Sequence, residues 1–385
     1  MKKELLVVSL GLFLLFSFVQ MHFLSYYNVF GIPFGKVDVD AYMGAINKDE
    51  ISIDHVLITL IPSALSSIID PGLLYTVTIP FLACIILPLT LFFFAYYFSR
   101  DYTTAFFSVF IMLFGTFTLH VYLITALWAQ MLATIFALWS IIFIEHYYRT
   151  NNRAVIFVAV IFSILTILSH PAGFAMVFIY IGLKIYNDIS RKSLFILCII
   201  PLVGLSVYIL DTFTVMFGDY IYVISLDYVF MYFVHPVFWI MAGISAIFLL
   251  HTEQKQLVFM SFIVGVVSPA FVLWRPLISI LPLVAYFSAI VLSKYTIVYN
   301  YPKFKNIILP ILACLFIVLC VVFVSSNTTM FMNAMLWEME AEPGILDVFP
   351  RSINSSIMRD MYFGGQHVCF VNENPNNNIT LERCY

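Results

Sequence analysis

The chain has 385 residues, of which 63% are hydrophobic and 10% charged, and its formal net charge is -3. Water-soluble domains carry about 25% charged residues, so this composition excludes an ordinary soluble fold and points to an all-α integral membrane protein. No basic block or basic-aromatic stripe is present, so no nucleic-acid partner is expected; the lipid bilayer is.

A transmembrane helix needs about 20 apolar residues. Residues 5–27 form the first such run, preceded by Lys2 and Lys3. No small-residue cleavage site follows it, so a retained span is expected rather than a signal peptide. Residues 28–70 are then read as the first non-cytosolic loop. It carries Lys36-Val37-Asp38-Val39-Asp40-Ala41-Tyr42, then Asp54-His55 and the apolar stretch 56–69. Two carboxylates at i and i+2 serve as a base and a metal ligand, as two ligands of a divalent cation such as Mg or Mn, or as ordinary solvated loop acids. His55 is read as an interfacial polar residue or a ligand. The stretch 56–69 is too short to cross twice and is expected to lie in the interface or dip back into the membrane.

Runs without Asp, Glu, Lys or Arg follow at 71–99, 102–144, 154–183, 193–210, 228–250, 256–274, 276–293 and 306–337. Reading 102–144 and 154–183 each as a hairpin sorts the charges. Lys2, Lys3, Arg100, Arg149, Arg153, Lys184, Arg191, Lys192, Lys255, Lys294, Lys303 and Lys305 then fall on one side, 12 of the chain's 18 basic residues. Cytosolic loops are rich in Lys and Arg. About eleven transmembrane helices are therefore expected, in a domain over 1–325 with a cytosolic N-terminus. A small non-cytosolic tail follows at 326–385. Of the 21 acidic residues, 16 fall on the non-cytosolic side.

The 154–183 hairpin leaves about 15 residues per crossing, roughly 22 Å of helix, against a hydrocarbon core of about 30 Å. Its tip, Ser169-His170-Pro171-Ala172-Gly173, is expected below the outer surface, lining protein or a wet cavity. Arg275 lies between two short apolar runs. Arginine near bilayer depth takes a partner such as phosphate, or snorkels to the surface. The tail holds three N-glycosylation sequons, at Asn327, Asn354 and Asn378, and two cysteines, Cys369 and Cys384. The cysteines are read as a disulfide or as two free thiols. Cys84, Cys198, Cys314 and Cys320 lie in apolar runs and are read as packing residues.

The order of these pieces resembles the GT-C superfamily of membrane glycosyltransferases, which includes protein O-mannosyltransferases, aminoarabinose transferases and oligosaccharyltransferase catalytic subunits. The likeness covers most of 1–295. It rests on Asp38-Val39-Asp40 with Tyr42 after the first span, on His55-Val56-Leu57-Ile58, and on LTILSHPAG at 165–173. The fourth piece is Trp274-Arg275-Pro276, with Pro282 following in the same apolar run. The resemblance implies a polyprenyl-phosphate-linked sugar donor used on the non-cytosolic side. It implies Asp40 or Asp38 as catalytic base, Arg275 on the donor phosphate, and His55, Tyr42 and His170 as substrate-binding residues. The chain departs from the family in lacking a WWDxG-type acceptor motif. Two other readings compete: a non-catalytic subunit with a GT-C-like body, and a transporter or flippase of lipid-linked substrates. The near absence of charges within the runs weighs against passage through the membrane.

Overall fold

The computed structural model describes residues 3–30, 39, 42–44, 46, 56–116, 118–124, 127–187, 234, 236–267, 275–294, 369–374 and 379–384. These residues are mostly helical. In chain order the helices are α1 (Lys3–Phe30), α2 (Val56–Leu65), α3 (Pro71–Ser99), α4 (Tyr102–Phe114), α5 (Thr118–Ile124) and α6 (Trp128–Thr150). They continue with α7 (Arg153–Ser169), α8 (Pro171–Asn187), α9 (Pro236–Leu249), α10 (Lys255–Phe262) and α11 (Arg275–Lys294). A hairpin of β1 (Cys369–Asn374) and β2 (Ile379–Cys384) lies in the tail.

By length and composition, two helices are long and apolar enough to cross a membrane: α3 with 29 residues and α6 with 23. The expectation of about eleven crossings is therefore met only in part. The runs 193–210 and 306–337 lie outside the described residues. The other apolar helices present shorter stretches of 10–17 residues.

The run 71–99 folds as one helix with a single π-bulge at Leu82–Ile86. Pro88 lies just past the bulge and has no N–H to give the carbonyl four residues back, a condition that favours such a bulge. Two other prolines free carbonyls that neighbouring helices use. Pro80 cannot donate to Thr76, whose carbonyl accepts His22 Nδ1–H from α1 at 2.9 Å. Pro62 cannot donate to Ile58, whose carbonyl accepts the Tyr75 hydroxyl at 3.0 Å. Helix-weakening residues thus become cross-links between α1, α2 and α3.

Two tight helix–helix turns, after α3 and after α6, use one device. Arg100 (φ 57°) and Asn151 (φ 54°) end their helices in the left-handed region, and the next residue caps the following helix. Asn152 accepts from the Ala154 N–H, and Asp101 accepts from the Thr103 and Thr104 N–H groups and the Thr104 hydroxyl. Partial burial pushes the Asp101 carboxyl up, but the hydrogen bonds from Thr104 and Thr103 outweigh it, and the net shift is downward. A depressed folded pKa adds stability above the unfolded value of about 3.9, and that stability is lost as pH falls through the folded value. Asp101→Ala is expected to cost about 1 kcal/mol at neutral pH. Its deficit in detergent melts should shrink below about pH 4. An equal deficit at pH 3 and pH 7 contradicts the cap.

Contacts between helix ends sort the bundle. At one end the start of α4 meets the finish of α11, through Thr104 and Ser293 at 2.6 Å. Gln254 Nε2–H there donates to the Phe98 carbonyl at 3.0 Å, and Arg149 pairs with Glu253 at 3.5 Å. Arg100, Arg149, Lys184 and Lys255 all sit at this end by their positions in these helices. The opposite end collects the finish of α1 and the starts of α3, α6, α8 and α11. A contiguous apolar core runs between them. Large apolar side chains also cover the outside, with Val7, Phe157 and Ile247 about two-thirds exposed (68%, 67% and 64%).

Candidate functional site

The end opposite Arg100, Arg149, Lys184 and Lys255 is organised by the first turns of α6. Trp128 opens that helix and is fully buried. Tyr42 stacks on its indole with centroids 5.5 Å apart, and Tyr75 lies 5.0 Å away on a tilted ring. Such aromatic clusters combine large burial with a fixed geometry. Val39, the residue between Asp38 and Asp40, is also fully buried, and Tyr42 is 2% exposed. Tyr42 is thus a core residue of this end as well as a site candidate.

Two residues further, Gln130 Nε2–H donates to Ser279 Oγ at 3.0 Å, with both residues buried. Ser279 is four residues from Arg275, the first residue of α11, so this bond draws the start of α11 to the start of α6. Tyr122 of α5 adds a hydroxyl contact to Thr134 at 3.0 Å.

Ala133 takes the third partner. A Cβ built on Gly173 would fall 2.7 Å from Ala133 Cβ and 2.9 Å from its carbonyl carbon. The α6–α8 approach therefore requires glycine. The tip between α7 and α8 behaves as the Ser-His-Pro order predicts. Helix α7 ends at Ser169, His170 is extended (φ -170°), and α8 starts at Pro171. His170 is 7% exposed, and the two helices have 17 residues each. At about 25 Å each, they are shorter than a bilayer core of about 30 Å. Gly173→Ala is expected to destabilise the protein by about 1–3 kcal/mol through overpacking. Adding Ala133→Gly removes the Cβ contact but not the carbonyl carbon at 2.9 Å, so it should restore only part of the loss, and an unshifted melt for Gly173→Ala would contradict the contact.

Of the residues singled out in the sequence, Tyr42 and His170 are therefore buried at this end. Arg275 is the first residue of a helix that starts there; its side chain lies outside the described residues. Asp38, Asp40, His55, Asn327, Asn354 and Asn378 also lie outside them. Cys84 is buried as a packing residue. Cys369 and Cys384 are register partners in the hairpin. Trp128 was not singled out by the sequence reading. A lone tryptophan in an apolar run carries no spacing signal.

Among the described residues, no group of three or more His, Cys, Asp or Glu side chains is arranged to hold a metal ion. Comparison with protein-family models gives no match, and comparison with curated proteins gives none either.

Proposed function

We propose that the chain is an integral membrane glycosyltransferase that uses a polyprenyl-phosphate-linked sugar donor on the non-cytosolic face. The observation that carries the reading is the convergence on one helix start. Tyr42 stacks on Trp128, Ser279 bonds Gln130, and Gly173 abuts Ala133. Three segments far apart in sequence, each belonging to the GT-C-like pattern, thus meet within two turns of α6. The exposed apolar faces of α1, α7 and α9 fit lipid contact. The basic end fits a cytosolic surface under the positive-inside rule. In this topology the N-terminus is cytosolic, about eleven helices cross, and the site opens outward.

In the proposed reaction an acceptor hydroxyl oxygen attacks the anomeric carbon as the bond to the lipid phosphate breaks, with inversion. The hydroxyl proton passes to Asp40, with Asp38 as the other candidate base. The departing phosphate keeps the bonding electron pair, and its charge is stabilised by Arg275. His170, Tyr42 and His55 would contact donor or acceptor. A divalent metal, Mg or Mn, held by Asp38 and Asp40 is the alternative use of the same pair. Transfer from a radiolabelled polyprenyl-phosphate sugar by the purified protein, with and without EDTA, tests both points. EDTA-resistant transfer supports the base, and EDTA-sensitive transfer supports the metal. No transfer from any such donor favours the non-catalytic subunit.

The tail is proposed as a disulfide-closed, N-glycosylated outer module. Directly opposed antiparallel residues have Cα atoms about 4.5–5.5 Å apart, within the disulfide range of about 4.4–6.8 Å. Cys369 and Cys384 hold such a register, at the open end of the ladder. An isolated two-stranded hairpin is marginal without a staple. Peptide mapping without reductant is expected to recover the two cysteines as one linked pair. Recovery of both as alkylated free thiols contradicts it.

A further inference from the structure

Three helix starts, those of α6, α8 and α11, gather at the end described above, and each carries the positive end of its dipole. The start of α6 is the most exacting. The first-turn N–H groups of Trp128 and Ala129 have no acceptor within their own helix. Leu127, at the capping position, supplies no side-chain acceptor. Independently, the indole Nε1–H of Trp128 is buried and has no hydrogen-bond partner among the described residues. A buried donor of this kind is costly to leave unpaired and calls for an acceptor. Side chains at a helix start lean back toward its N-terminus, so the indole and the backbone donors address the same region. The contrast with Trp139 is informative, because its indole N–H donates to Thr90 Oγ1 at 3.1 Å.

We infer that the start of α6, with Trp128 Nε1–H as its side-chain donor, binds the phosphate group of a lipid-linked donor. Backbone N–H groups, an aligned dipole and one indole donor match a phosphate's several acceptor oxygens. Tyr42 stacks on the indole and Tyr75 packs against it on a tilted ring, and neither hydroxyl bonds the indole N–H. The site rests on the glycosyltransferase reading only for the identity of the phosphate's carrier.

Trp128→Phe keeps an aromatic ring and removes the N–H. Its ligand-free melt is expected to fall only by the cavity that the smaller ring leaves at this buried position, so the decisive readout is ligand affinity. Stabilisation by undecaprenyl phosphate, titrated into protein in nanodiscs, should require about 10- to 100-fold more ligand than in the wild type. Inorganic phosphate is titrated in parallel. A response to the lipid alone assigns the lipid-linked source, and a response to both assigns free phosphate to the same donors. Equal lipid affinity in the two proteins would overturn the site. If Trp128→Phe does not fold, the indole N–H resonances of wild-type protein decide. One must move downfield at saturation while that of Trp139 stays, and no movement overturns the site. A phosphate response that depends on Trp128, in a protein without transfer activity, would leave this site standing and remove the glycosyltransferase reading.

Discussion

Asp40→Asn is expected to lower sugar transfer by about 10²- to 10⁴-fold while leaving expression and melting temperature unchanged. The substitution keeps size and polarity but removes the proton acceptor that the attacking hydroxyl needs. Asp38→Asn should show the smaller loss if Asp40 is the base. Equal losses would instead indicate that both carboxylates act together on a metal, and EDTA would then abolish wild-type transfer. Arg275→Ala is expected to reduce kcat by about 10²- to 10³-fold, because its charge is most needed as the phosphate departs. Arg275→Lys should recover only part of this, since an ammonium lacks the planar fork of donors. Single-turnover measurements at saturating donor separate this from weaker binding, which raises KM at constant kcat. Full activity in Asp40→Asn, Asp38→Asn and Arg275→Ala alike would sink the site assignment.

Lys184→Met is expected to destabilise the protein by about 3 kcal/mol. The effect lies at the opposite end of the bundle and arises from burial. Glu145 and Lys184 form an ion pair with side chains only 5% and 8% exposed. The Tyr180 hydroxyl donates to the same carboxylate at 2.7 Å, and Arg149 approaches its other oxygen at 3.3 Å. Lys184 also lies 5.0 Å from the centre of the Tyr148 ring and 5.5 Å from that of Tyr180. Methionine fills the lysine's space but leaves the carboxylate short of its nearest cation. Adding Glu145→Gln should return much of the loss, because a neutral amide needs no counter-charge. Unfolding in mixed micelles reads both variants. A Lys184→Met protein as stable as wild type would show that Arg149 and Tyr180 suffice. This network joins α6 to α8 and, through Arg149 and Glu253 at 3.5 Å, to the turn before α10. It is thus a structural clasp remote from the proposed chemistry.

Local signals in the sequence carry much of this arrangement. Pro171 marks the break in 154–183 because a residue before proline leaves the helical region. The asparagine pair at 151–152 marks the α6–α7 turn, since asparagine tolerates the left-handed region and then caps. Run 102–144 was too long for one crossing, but its break was not legible. It falls across Gly115–Leu127 and includes the short helix α5, which meets α6 through the Tyr122–Thr134 contact. The sorting of Arg100, Arg149, Lys184 and Lys255 to one end follows from the charges alone. The burial of Glu145 does not, because its partner Lys184 is brought in by tertiary packing. The same holds at the site. Tyr42 and His170 were legible through motifs. Trp128, Gln130 and Ala133 were not, since each acts only through what the fold sets beside it.

The central proposal is that Asp40 and Arg275 belong to one transfer site at one end of the bundle. Spin labels at Asp40→Cys and Arg275→Cys, in protein whose native cysteines are replaced, measure this directly by double electron–electron resonance. The account predicts a single short distance, well under the length of a 17-residue helix such as α7, about 25 Å. It also predicts that the distribution narrows when undecaprenyl phosphate is added. A distance comparable to the helix length, or one indifferent to the lipid, would set the two residues in separate places and contradict a shared transfer site.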